Sequence, residues 1–234
     1  MKYISTIFTA VLMTAMILSS CGSGGSKNEY NQDTLKVYGG GGRPIKFAEV
    51  TIGKQVWMTK NLDVDKFLNG DTIPEAKSKG EWSAFGQAGE AAWCYYDNDL
   101  ENGEKYGKLY NWYAVIDPRG LAPKGWHIPT DTEWTVLTDF LGGSKKAGAK
   151  MKSKVGWFDG GNGTNSSGFS GLPGGFRSYD GKFKDIEKNA DWWSSAEGIS
   201  SNTWDRGLDY DNVNVRRYKD GSKKDGVSVR CIRD

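Results

Sequence analysis

The chain has 234 residues and a mass of 25.8 kDa, enough for one large domain or two small ones. Its 10 Trp, 11 Tyr and 9 Phe exclude disorder over most of the length, and its 32 Gly weigh against a helical protein. The 31 Lys and Arg nearly cancel the 29 Asp and Glu, so no basic excess points to nucleic acid, and one His with three Cys leaves little material for metal or nucleophile chemistry.

Met1-Lys2-Tyr3 is a short basic start, and residues 4–18 are uncharged and mostly apolar. That run has the length of a signal-peptide core and is too short for a comfortable membrane span. It ends in Leu18-Ser19-Ser20-Cys21, which resembles the bacterial lipoprotein signal. The resemblance implies cleavage before Cys21, lipidation of its thiol and an anchor of several acyl chains; stable attachment takes more than one. Residues 1–20 are therefore expected to be a lipoprotein signal peptide. Residues 21–42, rich in Gly, Ser and Asn, read as a flexible tether with one candidate strand at 35–38. Residues 43–234 read as one folded domain, since no second composition shift and no fixed-period repeat follows.

Within the domain, residues 47–52 and 55–58 are two β-rich runs around Gly53-Lys54, which predicts a hairpin. Residues 91–96 predict a strand, and 108–116 a helix in preference to a buried strand. The clearest helix starts at Thr130: Thr130-x-x-Glu133 is a capping box, Trp134, Leu137, Thr138 and Leu141 follow at helical spacing, and Gly142-Gly143 ends it. Residues 156–175 hold eight Gly and predict a long loop. Strands are predicted again at 192–196, 203–208, 213–218 and 227–232. In the last of these Val227, Val229 and Cys231 alternate with Ser228, Arg230 and Ile232.

Several runs resemble the bacterial family called the Fibrobacter succinogenes major paralogous domain. They include Ile52-Gly-Lys-Gln-Val-Trp-Met-Thr-Lys-Asn-Leu62, Tyr106-Gly-Lys-Leu-Tyr-Asn-Trp-Tyr-Ala-Val115, Ala122-Pro-Lys-Gly-Trp-His-Ile-Pro-Thr-Asp-Thr-Glu-Trp134, Pro173-Gly-Gly-Phe-Arg177, Trp192-Trp-Ser-Ser195 and Ser228-Val-Arg-Cys231. The resemblance implies an α+β, C-type lectin-like fold: small twisted antiparallel sheets, one or two helices, long loops, and first and last strands that pair. The same fold hosts formylglycine-generating enzymes, whose chemistry depends on a pair of copper-binding cysteines. Once Cys21 is lipidated only Cys94 and Cys231 remain, and Cys231 lies in a terminal strand, so the enzyme reading loses its key residues. Fold alone does not give function.

In an oxidising compartment Cys94 and Cys231 are read as a disulfide, which would close a long loop and contribute up to about 4–5 kcal/mol; two buried free thiols are the alternative. His127, the lone His, reads as structural. Asp97-Asn98-Asp99-x-Glu101-Asn102 is rich in hard oxygen donors, but Lys108 stands where an EF-hand needs Glu, so no metal site and no cofactor is expected. Aromatic faces stack on sugar rings while Asp, Asn and Arg bond hydroxyls, which makes Tyr179, Trp192, Trp204, Asp205, Arg206, Tyr210 and Asn212 the expected ligand-binding set. Strand alternation puts Trp192 and Trp193 on opposite faces, so at most one of them meets a ligand. The expected function is a lipid-anchored cell-envelope module, in the outer membrane and facing periplasm or exterior, that binds a glycan or protein ligand without catalysis. A divergent enzyme of the formylglycine-generating type and a purely structural envelope lipoprotein are the competing classes.

Overall fold

The computed structural model describes residues 47–198 and 202–234. The signal peptide, Cys21, the tether and the strand expected at 35–38 lie outside the described residues. Strands β1 (Glu49–Ile52) and β2 (Gln55–Met58) form the predicted hairpin, with Glu49 opposite Met58 and Ile52 opposite Gln55. Gly53 turns the chain at φ +63°, a conformation that costs glycine little.

Helix α1 (Lys79–Ala88) follows, capped by Ser78, whose hydroxyl accepts from the Glu81 N–H while the Glu81 carboxylate accepts from the Ser78 N–H. Strand β3 (Trp93–Cys94), helix α2 (Leu100–Tyr106), strand β4 (Leu109–Tyr110) and helix α3 (Trp112–Val115) come next. Residues 108–116 are thus a two-residue strand and one helical turn, both kinds of element in a stretch expected to be one helix. Asn111 makes the switch: its side chain accepts from the Ala114 N–H to start α3 and from the Ala92 N–H beside β3.

After strand β5 (Trp126–His127), helix α4 (Asp131–Phe140) begins at the predicted box, with Thr130 and Glu133 bonded reciprocally. Helix α5 (Ala147–Met151) and the glycine-rich loop precede a small hairpin, β6 (Phe176–Arg177) with β7 (Phe183–Lys184). Long strands β8 (Asn189–Glu197), β9 (Asn202–Asp209) and β10 (Arg216–Ser222) pair in sequence, and β11 (Val227–Ser228) and β12 (Ile232–Arg233) end the chain.

The fold is α+β with several small sheets. One sheet runs β1-β2-β12-β5, so the last strand pairs with β2, the inner strand of the first hairpin, and not with β1. The other large sheet runs β10-β9-β8-β11-β4-β3. Its β8–β11 contact is parallel, and its other strand pairings are antiparallel, as expected. The described residues also hold five α-helices where one or two were expected.

The run 227–232 is two strands because Arg230 turns inward between them. Its guanidinium is buried and donates to the Met58 carbonyl at 3.1 Å, the Phe169 carbonyl at 2.6 Å and Asn61 Oδ1 at 2.6 and 3.0 Å. Burial pulls its pKa down to about 9, and neutral acceptors stand in for a carboxylate partner. Alternating residues of β8 feed different cores. Trp192 packs with Trp134, Trp57 and Phe169 under α4, whereas Trp193 joins Met58, Trp112 and Cys231.

The disulfide expectation is corrected here. Cys94 and Cys231 are both free and buried. Cys94 sits among Trp82, Ala92 and Tyr96 beneath α1, and Cys231 in the separate cluster around Trp193, so the clusters that bury them keep the two thiols in different cores.

Candidate functional site

The registers of β8, β9 and β10 place two rows of side chains on one face of the sheet. Asp191 lies opposite Gly207, and Gly207 opposite Arg216; in the next row Trp193 lies opposite Asp205, and Asp205 opposite Tyr218. Residues two apart on a strand share a face, so both rows point the same way. They floor a cleft of about 540 Å³, walled by Phe176, Ser178 and Tyr179 from the β6–β7 hairpin and by Asp225 from the turn after β10.

In the first row Gly207 leaves a gap. Arg216 reaches across it to put Nη2 2.8 Å from Asp191 Oδ1, while its Nε donates to Asp209 Oδ2 at 2.8 Å. Burial still outweighs that charge and lifts Asp191 to about 6.

In the second row the Trp193 indole N–H donates to the Tyr110 carbonyl at 2.7 Å, which fixes the ring as floor. Asp205 beside it is only 7% exposed. Its neighbours spend their donors elsewhere: Thr203 Oγ1 on the Gly221 carbonyl, Arg216 on Asp191 and Asp209, and Arg206 on Asp131, Thr135 and the Asp205 backbone carbonyl. Among the described residues no donor reaches the Asp205 carboxyl. Burial, reinforced by the charge of Asp191, pushes it up to about 8. Asp225, lifted by burial to about 6, accepts from the Tyr179 N–H at 2.7 Å and so anchors the rim. Tyr179 and Tyr218 flank the opening, 60% and 49% exposed.

A carboxyl that faces the cleft and meets no protein donor is free to accept from a ligand, and two exposed phenol rings at the opening are surfaces for stacking. The arrangement can take a flat, polar ligand whose donors meet Asp205 and whose ring face meets tyrosine. Among the described residues no three His, Cys, Asp or Glu side chains gather into a metal-holding group. Asp99 instead caps α2 by accepting from the Glu101 N–H.

Of the expected ligand-binding set, the cleft gathers Tyr179 and Asp205. Trp192 packs under α4 on the other face of β8, and its neighbour Trp193, equally buried, underlies the cleft floor. Arg206 points away from the cleft and is buried against Asp131 on α4, with Nη2 2.8 Å from Oδ1. Trp204 shares that opposite face, half-buried beneath the Arg217 guanidinium at 4.1 Å. Tyr210 and Asn212 lie beyond the end of β9, where their backbone carbonyls hold the Lys152 ammonium and the Tyr210 ring packs on Phe158.

The expected set lacks Asp191, Trp193, Arg216, Tyr218 and Asp225. The signal for the first two was a charge inside an apolar strand, Ala190-Asp191-Trp192-Trp193, read with the period of two. His127 lies outside the cleft, with Nδ1 2.8 Å from Asp234 Oδ1 and Nε2 2.8 Å from Glu133 Oε1, and ties β5 to α4 and to the segment after β12.

A second cavity of about 530 Å³ opens beside Asn61, Tyr106 and Arg230. The buried cation there is already held by the protein acceptors described above, and the buried Tyr106 hydroxyl meets no partner among the described residues.

The sequence model of the Fibrobacter succinogenes major domain matches residues 50–233. No curated protein and no solved structure matches the chain.

Proposed function

Because this chain belongs to the Fibrobacter succinogenes major domain family, which spans the whole cleft, we propose that it is a lipid-anchored cell-envelope module that binds a glycan between β8–β10 and the β6–β7 hairpin without chemical turnover. The observation that carries this is Asp205, nearly buried, facing the cleft and met by no donor among the described residues. A ligand hydroxyl or amine can donate to it without displacing a protein hydrogen bond. Tyr179 and Tyr218 supply ring faces at the rim, and the Arg216–Asp191 pair supplies fixed donors and acceptors on the floor.

Two observations favour binding over formylglycine-type chemistry. Cys94 and Cys231 lie in separate cores, and burial pushes each thiol up to about 12. A thiolate at neutral pH is what that chemistry needs. The envelope location rests on the Leu18-Ser19-Ser20-Cys21 signal. Cys21→Ser should release the protein from membranes; continued pelleting of a processed variant would contradict the anchor.

The test of binding is a glycan array probed with the full chain in a non-glycosidic detergent. Wild type should retain a defined set of glycans, and Tyr179→Ala with Tyr218→Ala should lose them while keeping the wild-type melting temperature. Equal retention by the double variant, or no retention by wild type, would contradict the reading.

A further inference from the structure

Resting on that reading of the cleft, we infer that the glycan it recognises carries a free ammonium group, an amino sugar that is not acylated, held with its nitrogen on Asp205 and its ring against Tyr218 or Tyr179. The cleft is lined by five aspartates, at 185, 191, 205, 220 and 225, against two basic residues, Lys184 and Arg216. The chain as a whole carries +2, and with Asp205 protonated the other four aspartates still outnumber the two basic residues, so this acidic excess is local. Arg216 is committed to Asp191 and Asp209, which leaves Asp205 facing the cleft without a cation. A neutral sugar needs no such field, whereas a cation is drawn into it and is also attracted to the faces of aromatic rings. Tyr218 lies directly across the pairing from Asp205, so ring and carboxyl sit side by side, as an ammonium on a sugar ring requires. A lysine side chain also offers an ammonium, but its flexible stem would leave both flat rims unused.

The charged groups around Asp205 set the proton balance. Asp191 on β8 and Asp225 after β10 oppose its ionisation, and Arg216 and Arg206 favour it. Asp220 and Tyr218 on β10, and Lys184 and Asp185 at β7, complete the titratable lining. Burial keeps a proton on the empty site at neutral pH. An ammonium docking there leaves the carboxylate ionised, and that proton passes to solvent.

Calorimetry of the full chain at about pH 6, where sugar amines hold their protons, with fully deacetylated and fully N-acetylated glucosamine tetramers, tests this. The deacetylated tetramer should bind at least about tenfold more tightly. Its binding should release about one proton, read from two buffers of different ionisation enthalpy. Asp205→Asn, isosteric with the protonated side chain and therefore compatible with the fold, should abolish both the preference and the proton release. Equal affinity for the two tetramers would overturn the ammonium inference and leave the glycan reading standing. Binding of neither would overturn the ammonium inference and leave the glycan reading to the array, and tetralysine binding as tightly as the amino sugar would overturn the sugar assignment.

Discussion

Arg216 Nη2 lies 2.8 Å from Asp191 Oδ1 although the two residues sit on strands that do not pair, because Gly207 on the strand between them has no side chain. A Cβ at Gly207 would fall on Asp191 Oδ1 and Arg216 Nη2 themselves. Gly207→Ala should therefore split the ion pair, cost about 1–3 kcal/mol as overpacking of a filled site does, and weaken ligand retention. Thermal denaturation checks it; an unchanged midpoint would mean that the pair reforms around the methyl group and that Gly207 is not what permits it.

Asp205 gives the cleft a stability signature. Its folded pKa, raised to about 8 by burial, stands above that of the unfolded chain, so the folded state holds a proton that the unfolded state releases. The sign follows: stability is lost as pH rises from the unfolded value through the folded one. Asp205→Asn removes that penalty and should be more stable than wild type by up to about 5 kcal/mol near pH 8, with the gap closing toward pH 4. Denaturant midpoints at the two pH values decide it. A variant less stable at both would mean that the carboxylate has a partner in the folded state.

His127 titrates with the same sign, in a higher pH window. Burial lowers its pKa, but hydrogen bonds to Glu133 and Asp234 together more than offset this and hold it above the ordinary value of 6.5. The raised folded pKa means its contribution is fully present below about 6.5 and is lost as pH rises through the folded value. The melting temperature of wild type should fall relative to His127→Gln between about pH 6 and pH 8. Parallel curves for the two proteins would contradict the bridge.

Cys94 and Cys231 should resist alkylation in the native chain and react together once it unfolds, since both are buried and both are raised to about 12. Peptide mapping without reductant should find both as free thiols. A Cys94–Cys231 cross-linked peptide would contradict the packing of the two residues in separate cores.

Local signals were legible in the sequence and long-range pairing was not. Thr130-x-x-Glu133 announced α4 because a cap is made by residues three apart. Ser78-Lys79-Gly80-Glu81 carries the same signature, yet Gly80 and Gly86 inside α1 lower its helix propensity, and the buried Trp82, packed beneath the chain near Lys224, supplies what propensity lacks. In the candidate site, Asp205 was legible as a residue of the cleft, but Trp204 and Arg206 were grouped with it by adjacency, and adjacent residues on a strand face opposite ways. Arg216, Tyr218 and Asp225 join Asp205 only through the register of β9 with β10 and the turn beyond it, which no local pattern encodes. Cys94 and Cys231 suggested a disulfide because the expected compartment permits one; the separation of their cores is a property of tertiary packing alone.

The two faces of β9 can be told apart in one titration. Trp193 floors the cleft, and Trp204 lies on the other side beneath Arg217. Indole N–H resonances of the isotope-labelled full chain, followed while the strongest-binding glycan of the array is added, report on both. The Trp193 resonance should shift to saturation and that of Trp204 should stay in place; a shift confined to Trp204 would contradict the cleft as the site of binding.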